Sequence, residues 1–346
     1  MSGSTQIPDG GMPWLDASGP QGHLAISTRV RLARNISGRP FSGRNTPEQR
    51  ESIVTEVAGA ARAVPALADA ALYRLDALSV ATRHWLTERQ LVSRDLAGLD
   101  ASGRVRRGAA LLLGHATSVM INEEDHLRLQ GLRSGFALEP AYAATDRVDH
   151  ELGARISFAF HAEFGYLTAC PTNVGTGLRA SVLIHLPGLV LTKEITKVLQ
   201  GLAQVGLTYR GLFGEGSDVL GHLFQLSNQT TLGKSEIELV DHLSRMVRQV
   251  MEYEERARIA LRSDAVVALE DKVWRAWAVL RHARVLSFDE TVNLLSGVRL
   301  GVGMQLLPDV PLYLLNRLLV LAQTAHVAQA AGVSLDDESL PEHRAA

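Results

Sequence analysis

The chain has 346 residues, 46% of them hydrophobic and 21% charged, which is enough for two or three globular domains. A formal net charge of −2 argues against a general nucleic-acid coat protein, although local basic patches remain possible. One cysteine excludes an internal disulfide and fits a reducing compartment. The N-terminus lacks an apolar signal core, and polar residues interrupt the longest apolar stretch, residues 312–331. We therefore expect a soluble, cytoplasmic protein.

Residues 1–22 are polar and rich in glycine, which is typical of a flexible arm. In the next segment Arg29 and Arg31 alternate with Val30 and Leu32, so on a strand both guanidinium groups point to one face. Neighbouring arginines repel each other unless an anion lies between them, and their forked donors match phosphate oxygens. The pair predicts either a solvated surface or a phosphate-binding site.

The following segments alternate between helix and strand. Thr46 and Gln49 form a capping box around a proline at the first helical position, which predicts a helix to about residue 63. A further helix is expected within residues 88–99, and residues 109–121 are typical of strands.

Three consecutive carboxylates, Glu123, Glu124 and Asp125, follow the apolar residues 118–121. A helix cap would need only one of them. Carboxylates at the end of a strand can hold a cation, whereas a solvated acidic turn explains the same residues equally well.

The only cysteine, Cys170, begins a Gly-rich stretch that leads to Arg179. Gly175, Gly177 and Ala180 fit a dinucleotide-binding fingerprint, but that motif must open a helix. The residues that follow are largely β-branched and apolar up to Pro187, so they predict a strand. With strand-like residues 156–160 and 166–169 they indicate an antiparallel sheet. Cys170 is either a reactive thiol or an inert buried one.

The C-terminal half is mainly helical in pattern. Residues 210–221 contain four glycines and predict a mobile, lid-like loop. Ser235 and Glu238 form a capping box at the start of a long helix. Three more helices are predicted over residues 264–281, 288–302 and 310–331. The chain has no HExxH metal motif and no G-x-S-x-G hydrolase motif.

Four stretches occur in the order and spacing of a known family: STRVRLARN (27–35), NEEDHLR (122–128), CPTNVGTGLRASV (170–182) and RGLFGEG (210–216). Together they resemble the catalytic domain of the phosphagen (ATP:guanido) kinases, the family of creatine and arginine kinases, over roughly residues 20–255. Within it the chain is most similar to the bacterial protein-arginine kinases of the McsB type. It begins almost directly at the catalytic domain and continues into an added helical domain, as they do.

The resemblance implies an α+β fold, an antiparallel sheet flanked by helices, followed by a small all-helical C-terminal domain. The expected organisation is a flexible arm (1–22), a catalytic domain (23–258), a helical domain (259–332) and a frayed tail (333–346). The implied activity is transfer of the γ-phosphoryl group of ATP, with Mg²⁺, to a guanidinium nitrogen of arginine side chains in proteins.

The resemblance also implies which residues bind the nucleotide. The phosphate-binding set consists of Ser27, Arg29, Arg31, Arg128, Arg179 and Arg210. The neighbouring residues expected to line the nucleotide are Thr28, Val30, Ala180, Ser181, Val182, Leu183, Gly211, Leu212, Phe213, Gly214 and Glu215. No residue is assigned as a direct metal ligand.

Three residues correspond to the family's catalytic groups: Glu124, Cys170 and Glu215, with Asp218 as the alternative to Glu215. A guanidinium group has a pKa above about 12 and keeps its protons at neutral pH. Two carboxylates can hold it, aim one nitrogen at phosphorus and accept the proton as the N–P bond forms. A thiolate, favoured by the surrounding arginines, could hold another nitrogen.

The chain departs from the subfamily at two places. Gln90 stands where the subfamily has a nucleotide-contacting histidine, which predicts weaker nucleotide binding. The phosphoarginine-binding RDxxRA motif has its nearest match at residues 340–345, where only Arg344 and Ala345 agree. Pro341 is also expected to spoil the interior of a helix there. We therefore do not expect the family's phosphoarginine-binding pocket, or the regulation that depends on it, in this chain.

Two alternative functions stay open on the sequence: a kinase of a small guanidino metabolite, and a catalytically weak adaptor that delivers proteins to a protease. The resemblance implies a role in stress response and protein quality control. It also implies a homodimer, a zinc-containing activator protein, a heat-shock repressor as substrate and an AAA+ unfoldase as partner.

Overall fold

The computed structural model describes residues 12–115, 117–212, 219–307 and 310–346. Within them the strands are β1 (Ala25–Arg34), β2 (Ala71–Arg74), β3 (Ala110–Leu113), β4 (Thr117–Ile121), β5 (Leu127–Ser134), β6 (Phe160–His161), β7 (Gly165–Tyr166), β8 (Leu178–His185), β9 (Leu207–Gly211) and β10 (Leu223–Asn228). The α-helices are α1 (Pro47–Ala61), α2 (Val80–Glu88), α3 (Leu138–Gly153), α4 (Pro187–Leu191), α5 (Ile195–Gln204), α6 (Glu236–Asp264), α7 (Val266–His282), α8 (Phe288–Gly303), α9 (Leu312–Leu321), α10 (Thr324–Ala331) and α11 (Leu340–Ala345).

One large sheet organises the described part of the chain. Its eight strands lie in the order β2-β3-β4-β5-β1-β8-β10-β9, and each pairing is antiparallel. The short strands β6 and β7 form a separate hairpin. β1 lies in the middle of the sheet, between β5 and β8. This arrangement confirms the predicted α+β fold with helices flanking an antiparallel sheet.

The two faces of the sheet have different chemistry because side chains alternate along each strand. Val30, Leu32 and Val182 point to the face that packs against α1, α3 and α6, where they belong to the largest apolar core. Arg29 and Arg31 of β1 point to the opposite face. The alternation predicted for residues 29–32 is therefore confirmed.

The helical C-terminal part covers the face that carries the arginines. Leu132 of β5 and Leu183 of β8 pack there against Val298 of α8 and Leu319 of α9. A buried polar contact joins the same layers, since His185 Nε2 lies 2.8 Å from Ser296 Oγ on α8. The sheet thus lies between two helical layers, and its arginine face is enclosed by the second.

Both termini pack more closely than the sequence suggested. Trp14 and Leu15 are buried in the core between the sheet and the C-terminal helices. Arg299 donates a hydrogen bond to the carbonyl of Gly22. The prediction of a flexible arm is therefore wrong for residues 12–22, because two large apolar side chains anchor this segment; residues 1–11 lie outside the described part.

The tail contains helix α11, whose Leu340 is buried. Arg344 donates to the carbonyls of Ala322 (2.7 Å) and Leu286 (2.9 Å), which ties α11 to the preceding helices. The prediction of a frayed tail is wrong for these residues. Pro341 does not spoil the helix, because it lies in the first turn, where a missing N–H costs nothing.

Other boundaries also differ from expectation. The helix expected within residues 88–99 lies earlier, because α2 ends at Glu88 and Gln90 adopts a positive φ of 58°. The predicted domain boundary between residues 258 and 259 falls inside α6, a continuous helix of 29 residues. The position of that boundary stays a prediction. No helix among the described residues is both long and apolar enough to cross a bilayer.

A buried ion pair fixes the end of β1 to α3. Arg34 is 1% exposed, and its Nη2 lies 2.7 Å from Asp149 Oδ2. Arg34 also donates to the carbonyls of Ala33 and Thr176 and lies over the ring of Tyr166. Four contacts therefore converge on one guanidinium group, which joins β1, α3 and the loop that follows Cys170.

We predict that Asp149→Asn lowers the free energy of unfolding by about 3–5 kcal/mol, because it leaves the charge of Arg34 buried without its partner. The measurement is chemical denaturation followed by circular dichroism. The matched control is Asp271→Asn, which breaks an exposed pair with Arg275 on α7 and should cost less than about 1 kcal/mol. Equal, small effects of both changes would contradict the structural role of Arg34.

Candidate active site

Strand pairing brings the predicted phosphate-binding arginines onto one face of the sheet. Arg31 of β1 lies opposite Arg179 of β8, and Arg128 of β5 lies opposite Ala33 of β1. Arg210 of β9 follows in the outer part of the sheet, where it lies opposite Gln225 of β10. Directly opposed residues project to the same side. Five arginines from four strands, Arg29 and Arg31 of β1 with Arg128, Arg179 and Arg210, thus share one face.

These arginines repel one another at close range. Burial, and then the charges of Arg128 and Arg210, lowers the pKa of Arg29 to about 10. Burial lowers the pKa of Arg31 well below its usual value, and the charges of Arg29, Arg128 and Arg179 act in the same direction. Like charges kept together in this way create a strongly positive site that favours a multiply charged anion.

A cavity of ≈ 670 Å³ opens over this face. Arg29, Arg31, Arg210 and Gln225 form its sheet side. Its other walls come from the turn after α2, from the N-terminal segment and from the C-terminal helices, through Gln90, Trp14, Leu319, Gln323 and Thr324. Its volume lies in the range of sites for ligands of nucleotide size.

The structure separates the predicted nucleotide-lining residues into two groups. Leu183, Gly211 and Leu212 line the cavity. The side chains of four others point to the opposite face or into the core: Thr28, Val30, Ala180 and Val182. The alternation of each strand turns these four side chains away from the cavity, and their part in nucleotide binding stays a prediction.

Two further predicted residues, Ser27 and Ser181, are buried in β1 and β8 beside the arginines. Ser181 Oγ lies 3.5 Å from the carbonyl of Arg29. Phe213, Gly214 and Glu215, as well as Asp218, lie outside the described residues. The assignment of the second catalytic carboxylate therefore stays a prediction.

The three acids after β4 have different surroundings. Glu123 is buried, and its carboxylate accepts a hydrogen bond of 2.8 Å from Arg128 Nη1. Glu124 accepts one of 3.0 Å from Arg128 Nη2, and its side chain is 44% exposed. Arg128 therefore holds both carboxylates, and of the three acids only Glu124 is open to a second partner.

Asp125 has a structural role. It is fully buried, and its Oδ1 accepts hydrogen bonds from Asn35 Nδ2 (2.6 Å) and from the backbone N–H of Ala169 (2.7 Å). Burial raises the pKa of Asp125. The bond from Ala169 fixes the loop of Cys170 against the acidic turn. Because Ala169 is next to Cys170 and Asp125 is next to Glu124, the same bond brings the backbones of Cys170 and Glu124 together.

His126 fixes the same turn by hydrogen bonds to the backbone of the segment after β1. Its Nδ1 accepts the N–H of Ile36 at 3.0 Å, so the proton lies on Nε2, which is 2.8 Å from the carbonyl of Pro40. Burial lowers the pKa of His126, in agreement with a neutral ring. His126 is a structural residue of the turn.

Cys170 is partly buried at the start of a short 3₁₀ helix, Pro171–Asn173, with its Sγ 3.0 Å from Thr172 Oγ1. The following glycines are required by close backbone contacts. Gly175 has φ 109°, and a Cβ there would meet the carbonyl oxygen of Thr231 at 2.3 Å. The next residues form β8 and no helix, which confirms that the glycines are not a dinucleotide fingerprint.

Two residues near the site were missed from the sequence. Gln225 Oε1 accepts a hydrogen bond of 2.9 Å from Arg29 Nη2. In the sequence, the only indication of this role was a polar residue within an apolar strand. Asp95 lies near the acidic turn. Burial, and then the nearby charge of Glu123, raises the pKa of Asp95. No sequence pattern marked Asp95, whose position depends on the path of the turn after α2.

Comparison with known proteins identifies the family. Residues 52–257 match the C-terminal catalytic domain of the ATP:guanido phosphotransferases. Residues 266–346 match the C-terminal domain of the protein-arginine kinase McsB. The chain belongs to the protein-arginine kinases of the ATP:guanido phosphotransferase family. The predicted family and enzyme class are therefore confirmed.

Similar proteins support this family assignment over nearly the whole chain. The protein-arginine kinase of Moorella thermoacetica is 43% identical over 336 residues, which cover 96% of this chain and 95% of that protein. The protein-arginine kinase of Pelotomaculum thermopropionicum is 42% identical over 325 residues, covering 93% and 90%. These relatives favour a protein-arginine kinase over the metabolite-kinase and adaptor alternatives.

Solved structures of other guanidino kinases share the fold. The duplicated taurocyamine kinase from Schistosoma mansoni, with bound transition-state analogue components, has a TM-score of 0.61 and 28% identity. The alignment covers 73% of this chain and 37% of that chain. A lombricine kinase aligns with a TM-score of 0.59 and 23% identity over 72% of each chain, which shows the common fold alone.

The different surroundings of the acids predict different effects of isosteric amide changes. Glu124→Gln should keep the thermal midpoint of the wild type and lower kcat at least about a hundredfold, since it removes an exposed carboxylate that can accept a proton. Asp125→Asn should lower the thermal midpoint, because a neutral amide oxygen accepts the two buried hydrogen bonds more weakly than a carboxylate oxygen does. Thermal unfolding and phosphoryl-transfer assays on both variants test this. Wild-type turnover in Glu124→Gln would contradict the assignment.

Proposed function

We propose that the chain binds ATP, as its magnesium complex, in the arginine-lined cavity and transfers the γ-phosphoryl group to arginine side chains of proteins. The observation that carries this proposal is the convergence of five arginines on one sheet face, beside the single exposed acid of the turn after β4. A triphosphate supplies the negative charge that this arrangement lacks.

Each group has a role that follows from its position. Arg29, Arg31 and Arg210 would bind the phosphate oxygens and stabilise the charge that develops on the transferred group. Arg128 holds Glu124 in place through a hydrogen bond of 3.0 Å. Glu124 would hold the acceptor guanidinium, aim one of its nitrogens at phosphorus and take up the released proton.

Cys170 would contact the acceptor from the other side. Its loop is fixed to the acidic turn by the bond between Ala169 N–H and Asp125 Oδ1. We propose that its sulfur faces another nitrogen of the acceptor, and that Glu215 or Asp218 completes the carboxylate pair. Glu215 and Asp218 both belong to the Gly-rich segment that begins at Arg210.

Magnesium would be held mainly by the phosphates. Among the described residues there is no group of three or more His, Cys, Asp or Glu side chains arranged to hold a metal ion. Mg²⁺ usually keeps several waters and binds through substrate phosphates with one or two carboxylates at most, so the donor set fits this mode.

The wider setting follows from the family resemblance. We propose that the protein acts in the cytoplasm as a homodimer, in stress response and protein quality control. Its proposed partners are a zinc-containing activator, a heat-shock repressor as substrate and an AAA+ unfoldase. We further propose that Arg344 serves to hold α11, because two of its nitrogens donate to the backbone carbonyls of Ala322 and Leu286. Phosphoarginine recognition at this position would need those bonds to break.

ATP binding is tested by Arg31→Gln. The change should weaken ATP about ten- to a hundredfold, since a charge-assisted hydrogen bond contributes roughly 1.5–3 kcal/mol. It should leave the thermal midpoint unchanged or raise it, because the neighbouring charges already disfavour charged Arg31. Isothermal titration calorimetry with Mg-ATP measures the affinity. Arg275→Gln, an exposed change on α7, is the control, and equal affinity in both variants would contradict the nucleotide site.

The acceptor is tested by phosphorus NMR at alkaline pH, after incubation with Mg-ATP and either casein or free arginine. We expect a phosphoramidate signal on casein and none on free arginine. Signal only on free arginine would identify a metabolite kinase instead. Absence of both signals, with ATP bound, would favour the adaptor alternative or a required activator.

A further inference from the structure

The end of α2 and the start of α10 are joined by a compact set of polar contacts. The carboxylate of Glu88 accepts the backbone N–H groups of Ala325 (2.8 Å) and His326 (3.2 Å). These are among the first N–H groups of α10, which have no partner within the helix. Glu88, a residue of the catalytic domain, therefore caps a helix of the C-terminal domain.

The ring of His326 completes the contact. Its Nδ1 lies 2.7 Å from Glu88 Oε2, and its Nε2 accepts the Nε–H of Arg89 at 3.1 Å. Because Nε2 is the acceptor, the proton on Nδ1 is donated to Glu88. The ring also stacks on Trp85 of α2, with centroids 5.4 Å apart. We call Glu88, Arg89 and His326 the interdomain clamp.

The clamp adjoins a residue that reaches the arginine face. Gln90 follows Arg89 directly and has a φ of 58°, which is unfavourable for a residue with a Cβ. Its side-chain Oε1 lies 3.4 Å from Arg29 Nη1, and its carbonyl accepts a hydrogen bond of 2.8 Å from Gln130 Nε2. Such a backbone conformation persists only where the surrounding contacts hold it.

The same clamp also contacts a second part of the cavity wall. Gln323 and Thr324, at the start of α10, line the cavity together with Gln90. Gln323 Nε2 lies 3.4 Å from the carbonyl of Glu88. A shift of α10 relative to α2 would therefore move two walls of the cavity and release the turn that carries Gln90.

We propose that Glu88 is a positioning residue for the nucleotide. Glu88 caps α10 and contacts His326, and these contacts make ATP affinity depend on the position of the helical domain. Gln90 transmits this effect to Arg29. This inference rests on the proposed function, because it takes the arginine-lined cavity as the ATP site. It assigns Glu88 no contact with the reacting atoms.

The test compares Glu88→Gln with the wild type in steady-state phosphoryl transfer. The amide replaces one acceptor oxygen by a donor, so it cannot take all three hydrogen bonds. We expect the KM for ATP to rise about tenfold, which corresponds to about 1.4 kcal/mol, while kcat at saturating ATP stays within about twofold. Asp271→Asn, which removes an exposed ion pair elsewhere in the helical domain, should change neither constant.

A double-mutant cycle tests the route through Gln90. Gln90→Ala should raise the KM for ATP in the wild type and have little further effect in Glu88→Gln, because the turn is already released. His326→Gln provides a second variant of the clamp if Glu88→Gln folds poorly, and it should raise the KM in the same way. An unchanged KM in the folded clamp variants, or fully additive effects with Gln90→Ala, would overturn the inference.

The two proposals fail in different ways. If Arg31→Gln weakens ATP binding while the clamp variants do not, the nucleotide site stands and the positioning role of Glu88 is rejected. If Arg31→Gln binds ATP as tightly as the wild type, the nucleotide site itself is misplaced, and the inference is rejected together with it.

Discussion

Mutual repulsion of arginines on one face of a central strand is the constraint on which the rest of this structure depends. Arg29 and Arg31 lie side by side on β1, with Arg128 and Arg179 on the neighbouring strands. Burial and these neighbouring charges lower the pKa of Arg29 and Arg31. The fold tolerates this cost because the opposite face of the same strands forms the main apolar core. Residues such as Val30 and Leu32 keep β1 in place, and the arginines are carried with it.

The acidic turn places like charges side by side as well, and Arg128 compensates two of its three carboxylates. Arg128 holds buried Glu123 and exposed Glu124 at the same time, at 2.8 and 3.0 Å. Asp125 turns away and fixes the loop of Cys170. Three adjacent carboxylates therefore serve as an anchor for Arg128, a chemically available group and a link to a second loop. One turn thus ties the exposed carboxylate of Glu124 to the loop that carries Cys170.

Much of the site followed from the sequence, because its determinants are local. The alternation of Arg29 to Leu32 is enough to place both guanidinium groups on one face, and long motifs identified the family. Thr28, Val30, Ala180 and Val182 stand in the same motifs as the arginines but point to the other face, because a motif marks contiguous residues, whereas a strand presents every second side chain to one face. Asp95, Gln225 and the clamp were not predictable, since their positions depend on contacts between distant segments. The packed termini were missed for a similar reason: Trp14 packs against helices from the other end of the chain, and Leu340 packs against Val327 and Ala328 of α10.

The helical domain therefore contributes to the candidate nucleotide site beyond its own packing. It covers apolar residues of the arginine face, such as Leu132 and Leu183, and helps to enclose the cavity over Arg29, Arg31 and Arg210. That cavity has walls from the N-terminal segment, the turn after α2 and the start of α10. Glu88 lies at this edge of a positive site, and its carboxylate accepts three hydrogen bonds from Ala325 and His326, which stabilise its negative charge there. The electrostatics of the cavity and the docking of the helical domain thus depend on the same few contacts.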